Sequence, residues 1–148
     1  MANLIEHKRA HYDYETLESF EAGIELSGTE VKSLRSHKGT LEGAHISVRG
    51  GEAFLLNAEI PPYQAVNSPD FEPRRNRRLL LNKKEIAQLL NAEEARGLTI
   101  IPLAVYPKAR KLKVKIAIVR GKKKIDKRDT IIKREHERDI GRALKWNR

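Results

Sequence analysis

The 148-residue sequence contains no cysteine, which excludes disulfide bonds, thiolate metal sites and cysteine nucleophiles and is typical of a reducing compartment. No apolar run approaches the ~20 residues that a membrane-spanning helix needs. The N-terminal segment, MANLIEHKRAHYDYE, also lacks the apolar stretch of a secretory signal. We therefore expect a soluble, cytoplasmic protein without a membrane partner, and its length suits one monomeric domain.

Basic residues outnumber acidic ones in this chain. Thirty Lys and Arg against twenty Asp and Glu give a net charge of +10 and an isoelectric point near 9.9. A surplus of this size indicates a polyanionic partner, most often nucleic acid. The last 28 residues carry 11 basic and 5 acidic side chains, so most of the surplus lies there. We therefore divide the chain into a mildly basic body, residues 1–120, and a strongly basic tail, residues 121–148.

The body has the pattern of short antiparallel strands. Alternating apolar residues predict a strand from Phe20 to Ser27, and Gly50-Gly51 predicts a tight hairpin between strands at 44–49 and 52–60. Two more strands are predicted at 98–106, with an edge or bulge at Pro102, and at 112–120. The lack of a βαβ rhythm favours a mainly β fold with short helices, arranged as a small closed or nearly closed antiparallel β-barrel.

Two short helices are predicted among these strands. One runs from the N-cap Thr29 to Arg35 and turns Lys32 outward, and the other follows the N-cap Asn82 and ends at Arg96. The side chains expected to face inward are Val31, Leu34, Ile86, Leu89 and Leu90.

Four arginines lie within residues 74–78, after a proline-rich loop at 61–73. Such a cluster repels itself unless phosphates or carboxylates lie between the side chains. It is either a solvated loop or a phosphate-binding element, and the basic tail favours binding because both would serve one polyanion. Glu21 and Glu30 lie beside basic patches and are either spacers or specific acceptors of RNA donors. Spacing alone favours the spacer role for each.

No catalytic or metal-binding constellation emerges from the sequence. His7 and His11 lie four apart, but two ligands do not make a zinc site, and a solvated pair in a mobile N-terminus is the simpler interpretation. Glu93 and Glu94 are expected on an exposed helical turn. With no nucleophile, base and orienting group to assemble, we expect neither catalysis nor a cofactor.

The tail has a helical pattern, but its apolar stripe is too narrow to stabilise an isolated helix. Ile132, His136, Ile140 and Leu144 form one i, i+4 stripe, opposite a basic face. We expect the tail to be disordered when free and helical when docked on an anionic surface.

Four sequence blocks resemble those of one bacterial protein family. They are FEAG (20–23), GTEVKSLR (28–35), RRLLLNKKEI (77–86) and GKKKIDKR (121–128), in the order typical of SsrA-binding proteins, also called small protein B. The resemblance extends from about Lys8 into the tail, so it covers nearly the whole chain.

The resemblance implies an oligonucleotide-binding (OB) type barrel that holds the tRNA-like domain of transfer-messenger RNA (tmRNA, or SsrA RNA). The complex would enter ribosomes stalled on messages without a stop codon, which is trans-translation, and would lead to ribosome rescue and peptide tagging. The body would replace the missing anticodon arm. The tail would occupy the empty mRNA channel of the small subunit, near the decoding centre.

A general binder of single-stranded or structured RNA, associated with the ribosome, is the alternative hypothesis. An aromatic content of only 5% disfavours it, because such proteins stack successive bases on aromatic side chains.

The resemblance also assigns roles to individual residues. Glu21 becomes a specific RNA acceptor, and the tail block DKR (126–128) would act in tagging rather than in RNA affinity. Together with the basic side chains chosen for their charge, the predicted RNA-contacting set is Glu21, Lys32, Arg35, Arg74, Arg77, Arg78, Leu80, Asn82 and Lys113. The predicted ribosome-engaging set is Lys122, Lys123, Asp126, Lys127, Arg128, Lys133, Arg134 and Arg138.

Two positions depart from the family pattern. Tyr12 occupies the position of the usual histidine, where a tyrosine can stack on a base but cannot supply an imidazole proton. Ser36-His37-Lys38 replaces the usual Ala-Gly-Lys after the KSLR block, which changes the expected geometry of that turn.

Overall fold

The structure is a computed structural model that describes residues 3–63 and 71–121. In chain order the elements are β1 (Ile5–Glu6), α1 (Ala10–Asp13), β2 (Tyr14–Ile24), α2 (Gly28–Arg35), β3 (His45–Arg49), β4 (Glu52–Leu56), β5 (Arg77–Leu80), α3 (Lys83–Glu94), β6 (Leu98–Lys108) and β7 (Lys111–Gly121). The strands form one antiparallel sheet in the order β1-β6-β7-β2-β5-β4-β3. The prediction of a mainly β fold with short helices is confirmed.

The sheet curls without closing into a hydrogen-bonded barrel. Across the described part of the chain, β1 and β3 end the ladder, and β3 lies alongside β6 without pairing to it. Helix α3 packs against both β3 and β6 and buries Leu89 and Ala92 there. The opening between the two sides of the sheet is thus filled by a helix, which removes the need for a further strand pairing.

The core lies on the inner face of the curled sheet. The predicted inward residues of β7, from Leu112 to Ile118 at alternate positions, are all buried with Ala22 and Leu34. A smaller cluster of Ala10, Ile101, Ala117 and Val119 lies apart from this core and includes a residue of α1. The predicted irregularity at Pro102 is confirmed, since the pairing of β6 with β7 shifts register between Pro102 and Ala104.

The hairpin at Gly50-Gly51 is confirmed, with φ angles of 59° and 77° at the two glycines. These positive angles belong to the tight turn that joins twisted antiparallel strands. Strand β4 ends at Leu56 rather than at residue 60, because Asn57 turns the chain with a φ of 62°.

Helix α2 begins two residues earlier than predicted, and its N-cap is Ser27 rather than Thr29. The Ser27 hydroxyl accepts from the Glu30 amide at 3.3 Å, and the Glu30 carboxylate accepts from the Ser27 amide at 2.9 Å. A capping box needs an acidic or amide side chain three residues after the cap. Ser27 has Glu30 in that place, whereas Thr29 has Lys32.

Helix α3 has the predicted cap at Asn82, whose side-chain oxygen accepts from the Glu85 amide at 2.8 Å. Two details of the prediction are wrong, since Leu90 is 40% exposed rather than inward and the helix ends at Glu94 rather than at Arg96. Glu93 lies on an exposed helical turn as predicted, and its carboxylate also accepts from the Ser47 hydroxyl and the Val48 amide, both at 2.8 Å.

The N-terminal segment is fixed to the body, contrary to the expectation of a mobile end. Strand β1 pairs with β6, and the His7 ring lies 6.5 Å from the Tyr14 ring in an edge-on contact. The His37 ring nitrogen Nδ1 lies 2.9 Å from the carbonyl oxygen of Leu4. His37 has a φ of 61°, so the turn that departs from the family pattern takes a left-handed conformation.

A buried ion pair joins α2 to the arginine cluster. Glu30 and Arg77 are both 0% exposed, and the Arg77 Nε atom donates to the Glu30 carboxylate at 2.6 Å. Arg77 also donates to the carbonyl oxygens of Ala58, Arg75 and Pro73 at 2.9 to 3.1 Å. Each of the three guanidinium nitrogens thus donates to at least one protein acceptor, as burial of such a group demands.

Arg75 completes this network from the other side. Its guanidinium donates to both Glu30 oxygens, at 2.5 and 3.1 Å. Burial by itself raises the pKa of Glu30, but hydrogen bonds from Arg75, Ser27 and Arg77 outweigh it and hold the pKa below the ordinary 4.5. The interpretation of Glu30 as a spacer or an RNA acceptor is therefore wrong, because both oxygens of its buried carboxylate are hydrogen-bonded within the protein.

We expect Glu30→Gln to destabilise the fold by about 3–5 kcal/mol, because it leaves the buried Arg77 without its counter-charge. The matched control is Glu25→Gln, which removes the 54%-exposed partner of Arg78 and should cost no more than about 1 kcal/mol. Urea unfolding followed by circular dichroism measures both. Equal stabilities of the two variants would contradict the importance given to the buried pair.

Candidate nucleic-acid interface

The arginine cluster at 74–78 is neutralised within the protein. Arg74 lies 3.3 Å from Glu59, and Arg78 lies 2.9 Å from Glu52 and 3.4 Å from Glu25. Arg75 and Arg77 share Glu30, as described above. Carboxylates thus separate the cluster's positive charges, which was one of the two possibilities the sequence left open.

Arg77 does not belong to an RNA-facing surface in this structure. Its side chain is fully buried and every contact it makes is internal, so the prediction that it contacts RNA is wrong. Arg74 and Arg78 remain exposed, with side-chain exposures of 63% and 43%. An RNA phosphate would have to compete with glutamates for both of them.

The cations that have no carboxylate partner lie elsewhere. Among the described residues, Lys32, Arg35 and Lys113 form no ion pair. Lys32 and Arg35 are on the outward side of α2, and Lys113 is on β7. A phosphate would therefore not have to displace an ion-pair partner to contact any of these three side chains.

Strand register brings Leu80 and Lys113 to the two sides of Gly23. Gly23 is opposite Leu80 on β5 and opposite Lys113 on β7. Paired residues of antiparallel strands point to the same face, so the Leu80 and Lys113 side chains flank a position without a side chain. A Cβ atom at Gly23 would lie 3.1 Å from the Leu80 Cβ, which is closer than ordinary packing. The glycine therefore leaves room for Leu80, which is 49% exposed.

These side chains border a groove of about 270 Å³ between α2 and the sheet. Arg35 reaches it from α2, Leu80 from β5 and Lys113 from β7, while apolar side chains such as Val31 and Leu112 also line it. The structure thus brings three of the predicted RNA contacts together. An apolar floor with a cationic rim accommodates a base or ribose and its phosphate.

Glu21 lies on the same face, two residues before Gly23. Its carboxylate accepts from the Tyr106 hydroxyl at 2.5 Å and from the Lys108 ammonium at 3.0 Å. The hydrogen bond from Tyr106, followed by those from Lys108, lowers the pKa of Glu21, and the positive charge of Lys113 adds to this effect. In turn, partial burial and the bond to Glu21 raise the pKa of Tyr106 to about 12. Glu21 is therefore an oriented carboxylate rather than a free one.

Tyr106 and Lys108 were not predicted as members of the site. Their spacing of two residues places both on one face of β6, but the predicted strand ended at residue 106 and so left Lys108 out. The sequence also does not show that Tyr106 pairs with Lys113 across the sheet, which puts that face beside Glu21.

Asn82 lies at the far end of this face, where β5 leads into α3. Its oxygen is held by the helix cap, and its side chain borders a depression of about 420 Å³ together with Arg78 and Leu80. No described residue receives a hydrogen bond from its amide nitrogen, so that donor is available. The cap therefore fixes the orientation of a residue predicted to contact RNA.

The predicted tail residues, Lys122 to Arg138, lie outside the described residues. Within the described ranges no three His, Asp or Glu side chains are placed to hold a metal ion. No helix in those ranges is long and apolar enough to cross a membrane.

Several known proteins are similar to this chain over most of its length. A family model described as "SmpB protein" matches residues 4–146. An SsrA-binding protein of Thermosipho africanus is 50% identical over 142 residues, covering 95% of each chain. One of Trichormus variabilis is 47% identical over 143 residues, covering 96% of this chain and 92% of that protein.

A solved structure is also similar. Described as "tmRNA-SmpB: a journey to the center of the bacterial ribosome", it matches with a TM-score of 0.69 and 46% sequence identity. The match covers 80% of this chain and 84% of the solved chain.

Tyr106→Phe should raise the pKa of Glu21 toward its ordinary value of 4.5, because the largest contribution to the lowering is the tyrosine hydroxyl. At pH values just below 4.5, a larger fraction of Glu21 would then be protonated than in the unaltered protein. Carbon-detected NMR titration of the side-chain carboxyl measures this pKa directly. Phe20→Leu, a ring removal on β2, is the control, and an unchanged Glu21 pKa in Tyr106→Phe would contradict the assignment.

Proposed function

This chain belongs to the SmpB protein family, and we propose that it binds the tRNA-like domain of tmRNA and delivers that RNA to stalled ribosomes. Its partners are the SsrA RNA and the ribosome, as the names of the matched proteins and the matched structure describe. The process is trans-translation, which rescues the ribosome and tags the unfinished peptide. These partners place the protein in the cytoplasm.

The convergence of Arg35, Leu80 and Lys113 on one groove, with Glu21 on the same sheet face, carries the proposal. Each residue comes from a different element, so the fold rather than local sequence assembles them. Cations without carboxylate partners supply attraction to phosphate, and the oriented Glu21 carboxylate and the Asn82 amide supply specific hydrogen bonds. Binding in this way needs no chemical step, and we propose that the protein acts without catalysis.

We further propose that the body, residues 1–120, and the tail, residues 121–148, divide the work. Gly121, in β7, is the last described residue, and the sequence after it carries most of the charge surplus. The body holds the RNA through its groove face. The tail, through Lys122, Lys123, DKR (126–128), Lys133, Arg134 and Arg138, engages the empty mRNA channel and the decoding centre of the small subunit.

The RNA-binding part is tested by competition at physiological salt between the tRNA-like domain of tmRNA and a length-matched structured RNA. We expect a preference of about a hundredfold or more, equivalent to about 2.7 kcal/mol. Glu21→Gln and Asn82→Ser should each weaken specific binding by about 1–3 kcal/mol. Serine keeps the helix cap while removing the amide donor, so the loss would not come from unfolding.

Glu18→Gln is the matched control for Glu21→Gln, since Glu18 is another exposed glutamate on β2. Its affinity for the tRNA-like domain should equal that of the unaltered chain. Equal affinity of the unaltered chain for both RNAs would overturn the proposal and favour a general RNA binder that depends on charge alone.

The division of labour predicts a separate defect for the tail. Replacing Asp126, Lys127 and Arg128 together with alanine should leave affinity for the tRNA-like domain unchanged and abolish peptide tagging in a reconstituted translation system. Lys83→Ala in α3 is a control for the loss of a basic residue outside the tail. A large loss of RNA affinity in the triple variant would show that body and tail are not separate in function.

A further inference from the structure

Tyr63 is an exposed aromatic side chain held beside α2. It is 42% exposed, although a ring of this size is ordinarily more buried. The backbone before it is anchored, because the Ser33 hydroxyl of α2 donates to the Pro61 carbonyl at 2.6 Å and the Ile60 amide donates to the Pro73 carbonyl at 2.9 Å. The ring is thus displayed from an ordered backbone position at the side of a helix.

Two lysines lie close to this ring. The Lys32 Nζ atom is 6.0 Å from the centre of the Tyr63 ring, and the Lys38 Nζ atom is 5.7 Å from it. Neither lysine forms an ion pair with a described residue. Two like charges gathered around one ring repel each other, and the described part of the chain places no carboxylate between them. An anion would relieve this repulsion.

The contrast with the arginine cluster makes this arrangement informative. At residues 74–78 the fold supplies a glutamate for each arginine, so those positive charges serve stability. At Tyr63 the fold supplies an aromatic surface and leaves the charges unpaired. An exposed ring with neighbouring cations is the chemistry that proteins use to bind unpaired nucleotides, with the base on the ring and the phosphates on the cations.

We propose that Tyr63, Lys32 and Lys38 form a second RNA-binding site, at which the tyrosine ring stacks on the base of an unpaired nucleotide and the two lysines bind its phosphates. Helix α2 links this site to the groove, because Lys32 points to Tyr63 while Arg35, one turn later, borders the groove. An RNA strand that leaves the groove across α2 would reach Tyr63. This inference rests on the proposed function and extends its RNA surface along α2.

The test measures RNA affinity of the full chain carrying Tyr63→Leu or Tyr63→Phe. Leucine keeps apolar bulk but removes the ring, so affinity should fall at least about fivefold, whereas phenylalanine keeps the ring and should leave affinity within about twofold. Leu90→Ala, at a side chain of similar exposure on α3, is the control and should change nothing. Thermal unfolding of each variant confirms that the fold is intact.

The lysines are tested by salt dependence. The double variant Lys32→Gln, Lys38→Gln should reduce the slope of log affinity against log salt by about 1.4, the value for two phosphate contacts with single-stranded RNA. Lys8→Gln, an exposed lysine between β1 and α1, should leave the slope unchanged.

Two RNA probes identify which RNA occupies the site. Loss of affinity for the isolated tRNA-like domain of tmRNA would assign the nucleotide to that RNA. Unchanged affinity there, with a loss on purified small ribosomal subunits, would assign it to ribosomal RNA. If Tyr63→Leu equals Tyr63→Phe on both probes, the second site is overturned. Failure of the proposed function gives a different result, since the unaltered chain would then show no preference for the tRNA-like domain.

Discussion

The fold depends on how one buried carboxylate is shared. Glu30 caps the start of α2 through Ser27 and at the same time receives the guanidinium groups of Arg75 and Arg77. Through these contacts it ties the helix to the segment that leads into β5, the strand that carries Leu80. The groove lies between that helix and that strand, so the distance across the groove is set by an ion pair that no ligand touches. A buried ion pair often contributes no more to stability than apolar side chains of similar volume would. We therefore infer that its main effect here is to fix the position of α2 relative to β5.

The basic side chains of the body fall into two groups, those paired with carboxylates inside the fold and those without a carboxylate partner. The sequence shows a large basic surplus in the body and tail, but only the structure separates basic side chains that hold the fold from those that face solvent without a partner. Arginine suits the first role, because its planar fork can satisfy several carbonyl and carboxylate acceptors at once, as Arg77 does. Lysine dominates the second role, at Lys32, Lys38 and Lys113. A dense basic run in a sequence therefore does not by itself identify cationic side chains that face solvent without a carboxylate partner.

Much of the fold was predictable because its signals are local. The glycine pair at 50–51, the Asn82 cap and the alternation along β7 each depend on a few neighbouring residues, and each was confirmed. The start of β2 was missed because Glu15, Thr16 and Glu18 make its first half polar on both faces, which hides the period of two. The burial of Arg77 and the contact of Tyr106 with Glu21 depend on partners 47 and 85 residues away. No local pattern reports such partners, so the membership of the site was only partly predictable.

The contact of Glu93 with β3 has a consequence for the sheet as a whole. In the described structure β3 is a terminal strand, and a terminal strand exposes amide groups to which a second chain could add. The Val48 amide, which faces away from β4, is already occupied by the Glu93 carboxylate, and α3 covers the strand on that side. The opposite terminal strand, β1, is only two residues long. In the described part of the chain, neither end of the sheet therefore offers a long open edge for strand addition, which lowers the tendency of this basic chain to associate with itself.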